Sequence, residues 1–249
     1  MYRDYYDEGA MGLVSLRDNE EAYNRYKIMP RILVNVDKID MSTTIFETKV
    51  SFPLGFSPTA MHRMAHPDGE LATSRAAAKL NICMALSSYP TESMENVAAQ
   101  GGDNPYVMQL CVLGDRERTL QILRRAEDPS LDWDSAISWL KEHTKLQLWL
   151  KGVYTPDDVA LAIRQGLDVA AGKIPIAVDG GIRRGTDIFK ALALGAPHCF
   201  VGRIPIWGLA YNGQEGVELA LKILQYELKI TIALGGCRTI EEISRGHVA

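Results

Sequence analysis

Strand-like and helix-like segments alternate along this chain from about residue 50 to its end. The apolar, strand-like runs are Val50–Ser57, Ile82–Leu86, Tyr106–Val112, Leu146–Lys151, Ile174–Val178 and Cys199–Val201. The helix-like stretches are Gly69–Leu80, Thr91–Ala99, Arg116–Ala126, Pro156–Gln165, Thr186–Leu194, Gly216–Leu234 and Ile240–Arg245. Such alternation predicts a parallel sheet with helices packed outside it.

The number of strand–helix units decides which α/β architecture fits. Six units are present, whereas a closed TIM (β/α)8 barrel contains eight. One unit is missing between Glu127 and Asp128, and another between Asp168 and Val169, where a helix runs almost directly into the next strand. We therefore predict a single domain, residues 1–249, with an incomplete TIM barrel. Such a remnant would have unpaired strand edges, which proteins normally avoid.

Composition excludes several classes of function. A net charge of -4 without a dense Lys/Arg run argues against nucleic-acid binding. The cysteines are scattered without a CxxC motif, which indicates reduced thiols in an intracellular protein: Cys83, Cys111, Cys199 and Cys237. The polar start is no signal peptide, no apolar run reaches the roughly 18 residues of a membrane helix, and the final GHVA is no peroxisomal address. We expect a cytoplasmic protein that does not bind membranes.

The strongest local motif lies at the end of a predicted strand and has the sequence Asp179, Gly180, Gly181, Ile182 and Arg183. Its paired glycines permit a tight turn and close approach of a ligand to the backbone. The start of the next helix offers free N–H groups to an anion, and arginine adds a cation. Gly202 and Arg203 repeat this chemistry after the following strand. The pattern predicts a phosphate site, although two ordinary turns with surface arginines would look similar.

Uncharged segments with hydrogen-bonding groups lie at the C-terminal ends of three further strands and suit a polar heteroaromatic ring: Ser57, Pro58, Thr59, Ala60, Ser87, Ser88 and Gln109. Each alone is equally typical of a turn or a cap. Lys151 ends a predicted strand, where it could hold a cofactor's negative charge, form a Schiff base as in a lyase, or simply be solvated.

The five histidines do not form a catalytic pattern: His62, His66, His143, His198 and His247. None follows a strand beside a carboxylate and an arginine, so a surface or packing role is expected for each. Metal-ligand spacing, GxSxG and GxGxxG are also absent from the sequence, and no metal is predicted.

In their order along the chain, these motifs resemble the FMN-dependent α-hydroxy-acid oxidases and dehydrogenases, the family of glycolate oxidase, lactate oxidase and flavocytochrome b2. The resemblance covers nearly the whole chain. The strings that carry it are Asp4-Tyr5-Tyr6, Arg31-Ile32-Leu33, SPTAMHRMAHPDGE from Ser57, LSS from Leu86, LKG from Leu150, DGGIRRGTDIFKALALGA from Asp179, VGR from Val201 and GCRTIEEISR from Gly236.

The resemblance implies a flavin site, an activity and a partner. By position, Pro58, Thr59 and Ala60 would lie against the flavin ring, Ser87 and Gln109 would hydrogen-bond it, and Lys151 would face its N1–O2 edge. The segment from Asp179 to Arg183 would bind the ribityl chain and phosphate of FMN, and Gly202 with Arg203 would bind the phosphate. Tyr5 would hold the carboxylate of an (S)-2-hydroxy acid, the substrate that the family oxidises to a 2-oxo acid. A homo-oligomer is also expected.

The chain departs from the family at its catalytic centre. The family's sixth strand ends in Ser-x-His-Gly-x-Arg, whose His accepts the substrate proton and whose Arg pairs with the carboxylate, and this segment is absent at Asp168–Val169. The fourth strand is absent at Glu127–Asp128, and Cys111 and Tyr89 stand where the family has Tyr and frequently Trp. Either the natural gene encodes both segments, or the protein is shortened and diverged. The corresponding functions are an oxidase and an inactive flavin- or phosphate-binding relative without a catalytic residue.

Overall fold

The structure is a computed structural model that describes residues 2–9, 11–110, 137–138, 140–142, 144–145, 147–153, 155–164 and 176–249. The chain divides into two compact units. The first comprises Met1–Gln109 and Ile176–Ala249, and the second comprises Leu110–Pro175. Because the two predicted gaps lie outside the described residues, the single-domain organisation stays a prediction.

The first unit contains a hairpin and a five-stranded parallel sheet. The strands in chain order are β1 Thr43–Ile45, β2 Thr48–Val50, β3 Leu54–Phe56, β4 Cys83–Leu86, β5 Tyr106–Met108, β6 Ala177–Asp179 and β7 His198–Val201. The sheet order is β5-β4-β3-β7-β6. This is the order of strands three, two, one, eight and seven in a closed barrel. Among the described residues, none pairs with the outer edge of β5 or β6, so the five described strands form an arc with two outer edges.

Helices of the first unit cover the outside of this arc. The α-helices are α1 Tyr2–Asp7, α2 Val14–Ala22, α3 Gly69–Lys79, α4 Met94–Ala98, α5 Pro156–Arg164, α6 Gly185–Ala193 and α7 Arg203–Leu234. Helix α5 belongs to the second unit, and the others to the first. The long helix α7 packs between α3 and α6 and buries the row Val217, Leu221, Leu224, Leu228 and Ile232. None of the described helices is both long and apolar enough to cross a membrane.

The β1–β2 hairpin packs against one end of the sheet. Ile45 and Val50 are buried in a cluster with Cys83, and Phe200 packs against that cluster. Gly55 leaves the space that Phe200 needs, because a Cβ at this position would lie 2.7 Å from a ring carbon. The hairpin and Phe200 therefore fill the end of the arc opposite the strand ends that carry the predicted site.

Most predicted elements are present with shorter bounds, but two are wrong. Residues 147–151 form no strand. A strand is stabilised where it pairs with a neighbour in a sheet, and no described residue forms a β-bridge with this segment. Ile240–Arg245 forms turns instead of a helix. Helix α7 begins at Arg203 rather than Gly216 and breaks at Asn212 and Gly213. The predicted helix 116–126 lies outside the described residues.

Candidate functional site

Five of the predicted segments meet at the carboxyl edge of the parallel sheet. Ser57–Ala60 follow β3, Ser87 follows β4, Gln109 follows β5, Asp179 ends β6, and Gly202 with Arg203 follows β7. Parallel strands place their carboxyl ends at one edge, so the topology collects these groups although they are far apart in sequence. All of them belong to the first unit.

A hydrogen bond joins the ends of β3 and β6 across β7. Ser57 Oγ donates to Asp179 Oδ1 at 2.5 Å, and the Ser57 backbone N–H donates to the carbonyl of Val201 at 2.9 Å. Thr59 Oγ1 donates to the Ser57 carbonyl at 3.2 Å. A Cβ on Gly202 would lie 3.2 Å from Thr59 Oγ1, so glycine keeps the space between the β3 and β7 ends open.

The ends of β4 and β5 are also tied together. Gln109 Oε1 accepts a hydrogen bond from the Ser88 backbone at 3.2 Å, and its carbonyl accepts from Ser88 Oγ at 2.8 Å. The side-chain amide nitrogen is therefore the group of Gln109 that can donate to a ring acceptor. Ser87 Oγ accepts from the Tyr89 backbone at 3.1 Å and keeps its hydroxyl proton for a further bond.

The glycine turn after β6 has the backbone geometry that its sequence predicts. Gly180 and Gly181 have φ of 111° and 71°, values that L side chains rarely adopt. A Cβ on Gly181 would lie 2.0 Å from the carbonyl oxygen of Asn19 in α2, so the turn is also closely packed. Tyr23 donates to the Gly180 carbonyl at 3.3 Å, which holds the turn in place.

The helix that follows this turn has its first amides occupied. Asp187 Oδ2 accepts from the backbones of Arg183 at 3.1 Å and Arg184 at 3.0 Å, and Glu227 accepts from Gly185 at 2.8 Å. The guanidinium of Arg183 pairs with Glu20 at 2.8 Å. The start of α6 is thus already neutralised by carboxylates of the chain itself.

The start of α7 differs from that of α6 both in its capping and in the pairing of its arginine. Its N-cap is Gly202, which provides no side-chain hydrogen bond to the first turn. Arg203 is exposed and has no ion-pair partner among the described residues. A helix start with unoccupied amides and an unpaired guanidinium is suited to bind phosphate. The sequence predicts a phosphate-binding arginine in each of two loops. Arg183 is paired with Glu20, whereas Arg203 has no ion pair among the described residues.

A buried carboxylate that the sequence did not reveal joins two of the site loops. Glu70 is fully buried in α3, and it accepts from the backbones of His62 at 3.0 Å and Thr91 at 2.9 Å, and from the Thr91 hydroxyl. Burial acts to raise the pKa of Glu70, but the bonds from Thr91 and the nearby His62 outweigh it and hold that pKa below its usual value. In the sequence, Glu70 stood out only as the last residue of the string that begins at Ser57 and carries the family resemblance.

Helix α1 is fastened to the loop after β3 by a tyrosine. The hydroxyl of the buried Tyr6 lies 2.7 Å from the carbonyl oxygen of Ala60 and 2.8 Å from that of Met61. Burial raises the pKa of Tyr6, which keeps the hydroxyl protonated as a donor. Tyr5 packs edge-on against Tyr6 with centroids 4.8 Å apart and remains 46% exposed. Tyr5 thereby lies next to the predicted flavin loop with its ring accessible.

The sequence also singled out Lys151, Cys111 and Tyr89. Lys151 belongs to the second unit, where it lies in a bend and is exposed. Cys111 lies outside the described residues. Tyr89 is 48% exposed after β4.

The four described histidines have packing roles. His62 is buried, with Nδ1 3.0 Å from Thr73 Oγ1, and His66 accepts from the Asp68 backbone at 3.2 Å. His198 begins β7 at the end of the sheet away from the site, and burial lowers its pKa to about 4. His247 is buried against Cys237, with Nε2 and Sγ 3.3 Å apart. No described group of three His, Cys, Asp or Glu residues could hold a metal ion.

Comparison with known proteins decides the family. The sequence model of the FMN-dependent dehydrogenases matches residues 1–131, 127–171 and 167–249, which together cover the chain. The chain belongs to this family. The FMN-dependent dehydrogenase match has breaks at 127–131 and 167–171, the same places at which the strand–helix count puts missing units.

Curated relatives agree with this family. The oxidase FUB9 of Gibberella fujikuroi is 40% identical over 319 residues, which cover 100% of this chain and 89% of that protein. Glycolate oxidase of Spinacia oleracea is 35% identical over 338 residues, which cover 100% of this chain and 91% of the oxidase. Both alignments are longer than the 249 residues of this chain, so segments of these relatives have no counterpart here.

Solved structures confirm the fold class. A flavocytochrome b2 variant with pyruvate bound superposes with a TM-score of 0.91 at 27% identity, over 100% of this chain and 82% of that one. Lactate oxidase of Pediococcus acidilactici superposes with a TM-score of 0.89 at 26% identity, over 96% of this chain and 87% of the oxidase. This FMN-dependent dehydrogenase therefore has a TIM-barrel fold that is incomplete relative to its relatives, and by its family it is an oxidoreductase of hydroxy acids with FMN as cofactor.

The described residues fit that cofactor. A flavin ring needs neutral hydrogen-bonding groups, and the edge offers the Ser87 hydroxyl and the Gln109 amide. A phosphomonoester needs amides and a cation, which the open start of α7 offers with Arg203. Gly202 leaves the space beside Thr59 open between these two regions, whereas the space at Gly181 is filled by the carbonyl of Asn19.

Proposed function

We propose that this chain carries the FMN-binding half of an (S)-2-hydroxy-acid oxidase site. The observation that carries the proposal is the uncapped start of α7, where Gly202 and the unpaired Arg203 lie beside the Ser57–Thr59 loop. Pro58, Thr59 and Ala60 would lie along the flavin, and Asp179 with the glycine turn would contact the ribityl chain. Arg183 would add a second, partly neutralised charge near the phosphate.

When bound, FMN would accept the two electrons that leave the hydroxy acid as it becomes a 2-oxo acid. The chain's own residues would orient the substrate: Tyr5 would donate a hydrogen bond to the carboxylate, and Tyr6 would hold Tyr5 over the β3 loop. Lys151 would face the N1–O2 edge of the flavin. The smaller Cys111 in place of the family's Tyr favours a bulkier hydroxy acid, as in secondary metabolism.

Proton removal is the step for which this sequence lacks a group. The described histidines have packing roles, and the family's Ser-x-His-Gly-x-Arg segment is absent from this sequence. Loss of a positioned base typically costs about 10²–10⁴ in rate, and loss of the arginine that orients the carboxylate adds to this. We therefore infer that oxidation requires the missing segments. The second candidate is a flavin-binding relative without turnover, which the two interrupted family matches favour.

Anaerobic stopped-flow absorbance of the bound flavin distinguishes the two candidates. The 249-residue protein loaded with FMN should show negligible bleaching with glycolate, lactate or longer (S)-2-hydroxy acids. A version with both segments supplied from the FUB9 oxidase sequence should bleach readily. Rapid bleaching of the 249-residue form would contradict the inference that this sequence lacks a catalytic base. If neither form bound FMN, the proposed flavin site would be wrong.

The cellular location is part of the same proposal. The three described cysteines are free and buried: Cys83, Cys199 and Cys237. Unpaired buried thiols are typical of a reducing compartment. This supports a cytoplasmic enzyme, and fractionation of the expressing cells with a tagged protein tests it.

A further inference from the structure

Two loops that are separate in sequence would together hold the flavin ring. The β3 loop, residues 57–62, contains Pro58, Thr59 and Ala60, and the β4 loop, residues 87–91, contains Ser87. Strands β3 and β4 are parallel neighbours, so both loops leave the sheet at its carboxyl edge. A planar ring that touches both loops is held firmly only if their separation is fixed.

The carboxylate of Glu70 binds both loops at once. Its Oε1 accepts from the backbone N–H of His62 in the β3 loop at 3.0 Å and from that of Thr91 in the β4 loop at 2.9 Å. Its other oxygen accepts from the Thr91 hydroxyl. Glu70 is fully buried in α3, so bulk water does not compete for these bonds. Each loop is therefore held against the same helix by one side chain.

The β3 loop is strained next to the residue that Glu70 holds. Met61 has a φ of 55°, a left-handed conformation that residues with a side chain rarely adopt and that persists only when the surroundings hold it. Its backbone N–H donates to the carbonyl of Tyr89 at 3.1 Å, and its carbonyl accepts from Tyr6 at 2.8 Å. Because Glu70 binds the residue that follows Met61, a shift of Glu70 would let Met61 relax and displace Ala60.

The side chain of His62 adds a connection between α3 and the middle of the β3 loop. Its Nδ1 lies 3.0 Å from Thr73 Oγ1 in α3. Burial lowers the pKa of His62, against the charge of Glu70 and a hydrogen bond to the Thr59 backbone. The imidazole therefore links α3 to Thr59, which would lie against the flavin ring.

We propose that Glu70 is a positioning residue for the flavin ring, because it sets the separation of the β3 and β4 loops. The inference rests on the proposed function, since these loops have a ring to position only if the chain binds FMN. Glu70 is fully buried, so it acts through the loops. A site of this kind must be held to within about 0.5 Å, so the length of the side chain matters more than its charge.

Two substitutions separate the length of Glu70 from its charge. Glu70→Asp keeps the charge but withdraws the carboxylate by about 1.5 Å, the length of one C–C bond, so it cannot bind both loops where they now lie. Glu70→Gln removes the charge but keeps the length, and its amide oxygen can still accept from both backbone N–H groups. Glu218→Asp is the matched control. Glu218 is a buried glutamate, 4% exposed, whose carboxylate pairs with Lys79 and Lys222.

Titration of each apoprotein with riboflavin measures binding of the ring without the phosphate, by quenching of flavin fluorescence. We expect Glu70→Asp to raise the Kd for riboflavin about tenfold or more, and the Kd for FMN by the same factor, because Arg203 is unchanged. Glu70→Gln should stay within about threefold of wild type, and Glu218→Asp should equal it. Thr91→Val removes one of the three bonds without touching α3. It should raise the Kd for riboflavin about threefold, and it provides a folded variant if Glu70→Asp unfolds.

The visible absorption band of bound FMN separates a displaced ring from a weakened fold. At saturating FMN, Glu70→Asp should change the shape of this band, whereas Glu218→Asp should reproduce the wild-type band. Riboflavin binding that Glu70→Asp and Thr91→Val leave unchanged overturns the inference while the proposed function stands. A loss with Glu70→Gln or Glu218→Asp as large as that with Glu70→Asp also overturns it. Wild-type protein that binds neither riboflavin nor FMN contradicts the inference and the proposed function together.

Discussion

The contrast between the two arginine loops makes a quantitative prediction for FMN binding. Arg203→Ala should raise the Kd for FMN about 30- to 150-fold, because charge-assisted bonds of an unpaired guanidinium to phosphate contribute about 2–3 kcal/mol. Arg183→Ala should raise it only about fivefold, because Glu20 already neutralises this guanidinium at 2.8 Å. Arg25→Ala should have no effect, since Arg25 forms an exposed pair with Asp18.

Quenching of flavin fluorescence on titration of the apoprotein measures these constants. Riboflavin, which lacks the phosphate, is the matched ligand, and its affinity should be the same for all three variants and the wild type. A variant that lost riboflavin and FMN equally would have a damaged fold rather than a missing phosphate contact. An Arg183→Ala effect larger than that of Arg203→Ala would refute the assignment of the phosphate to the start of α7.

Three further outcomes follow from buried or closely packed residues. Burial lowers the pKa of His198 from 6.5 to about 4, so the unfolded state binds the proton first and stability falls as the pH drops between these values. His198→Asn should remove about 3 kcal/mol of the decrease in the free energy of unfolding between pH 7 and pH 4, which urea unfolding at the two pH values would measure. Glu70→Gln should lower the free energy of unfolding by about 2–3 kcal/mol, whereas Glu95→Gln on the exposed part of α4 should not, by the same assay. Gly181→Ala should displace α2 and lower the melting temperature, since its Cβ would meet the Asn19 carbonyl at 2.0 Å; calorimetry would detect this, and an unchanged melting temperature would contradict the close packing.

The sequence alone determined the family, the cofactor and the order of the strand–helix units. These depend on local patterns: an apolar run followed by a helix, and glycine with arginine at a strand end, as in Asp179–Arg183 and Gly202–Arg203. The same patterns showed that units are missing at residues 127 and 168, where the family match also breaks. Local patterns survive the loss of segments, because each unit is contiguous in the chain.

The tertiary structure decided which of the motifs remain available for binding. Glu20 neutralises Arg183 from a helix far away in sequence, whereas Arg203 has no such partner among the described residues. The role of Glu70 also depends on where distant chain segments meet. The failure of residues 147–151 to form a strand has the same origin, because a strand is stabilised by its neighbours in the sheet and not by its own sequence. Ion pairs, buried acceptors and sheet ladders join residues distant in sequence, and no local pattern specifies them.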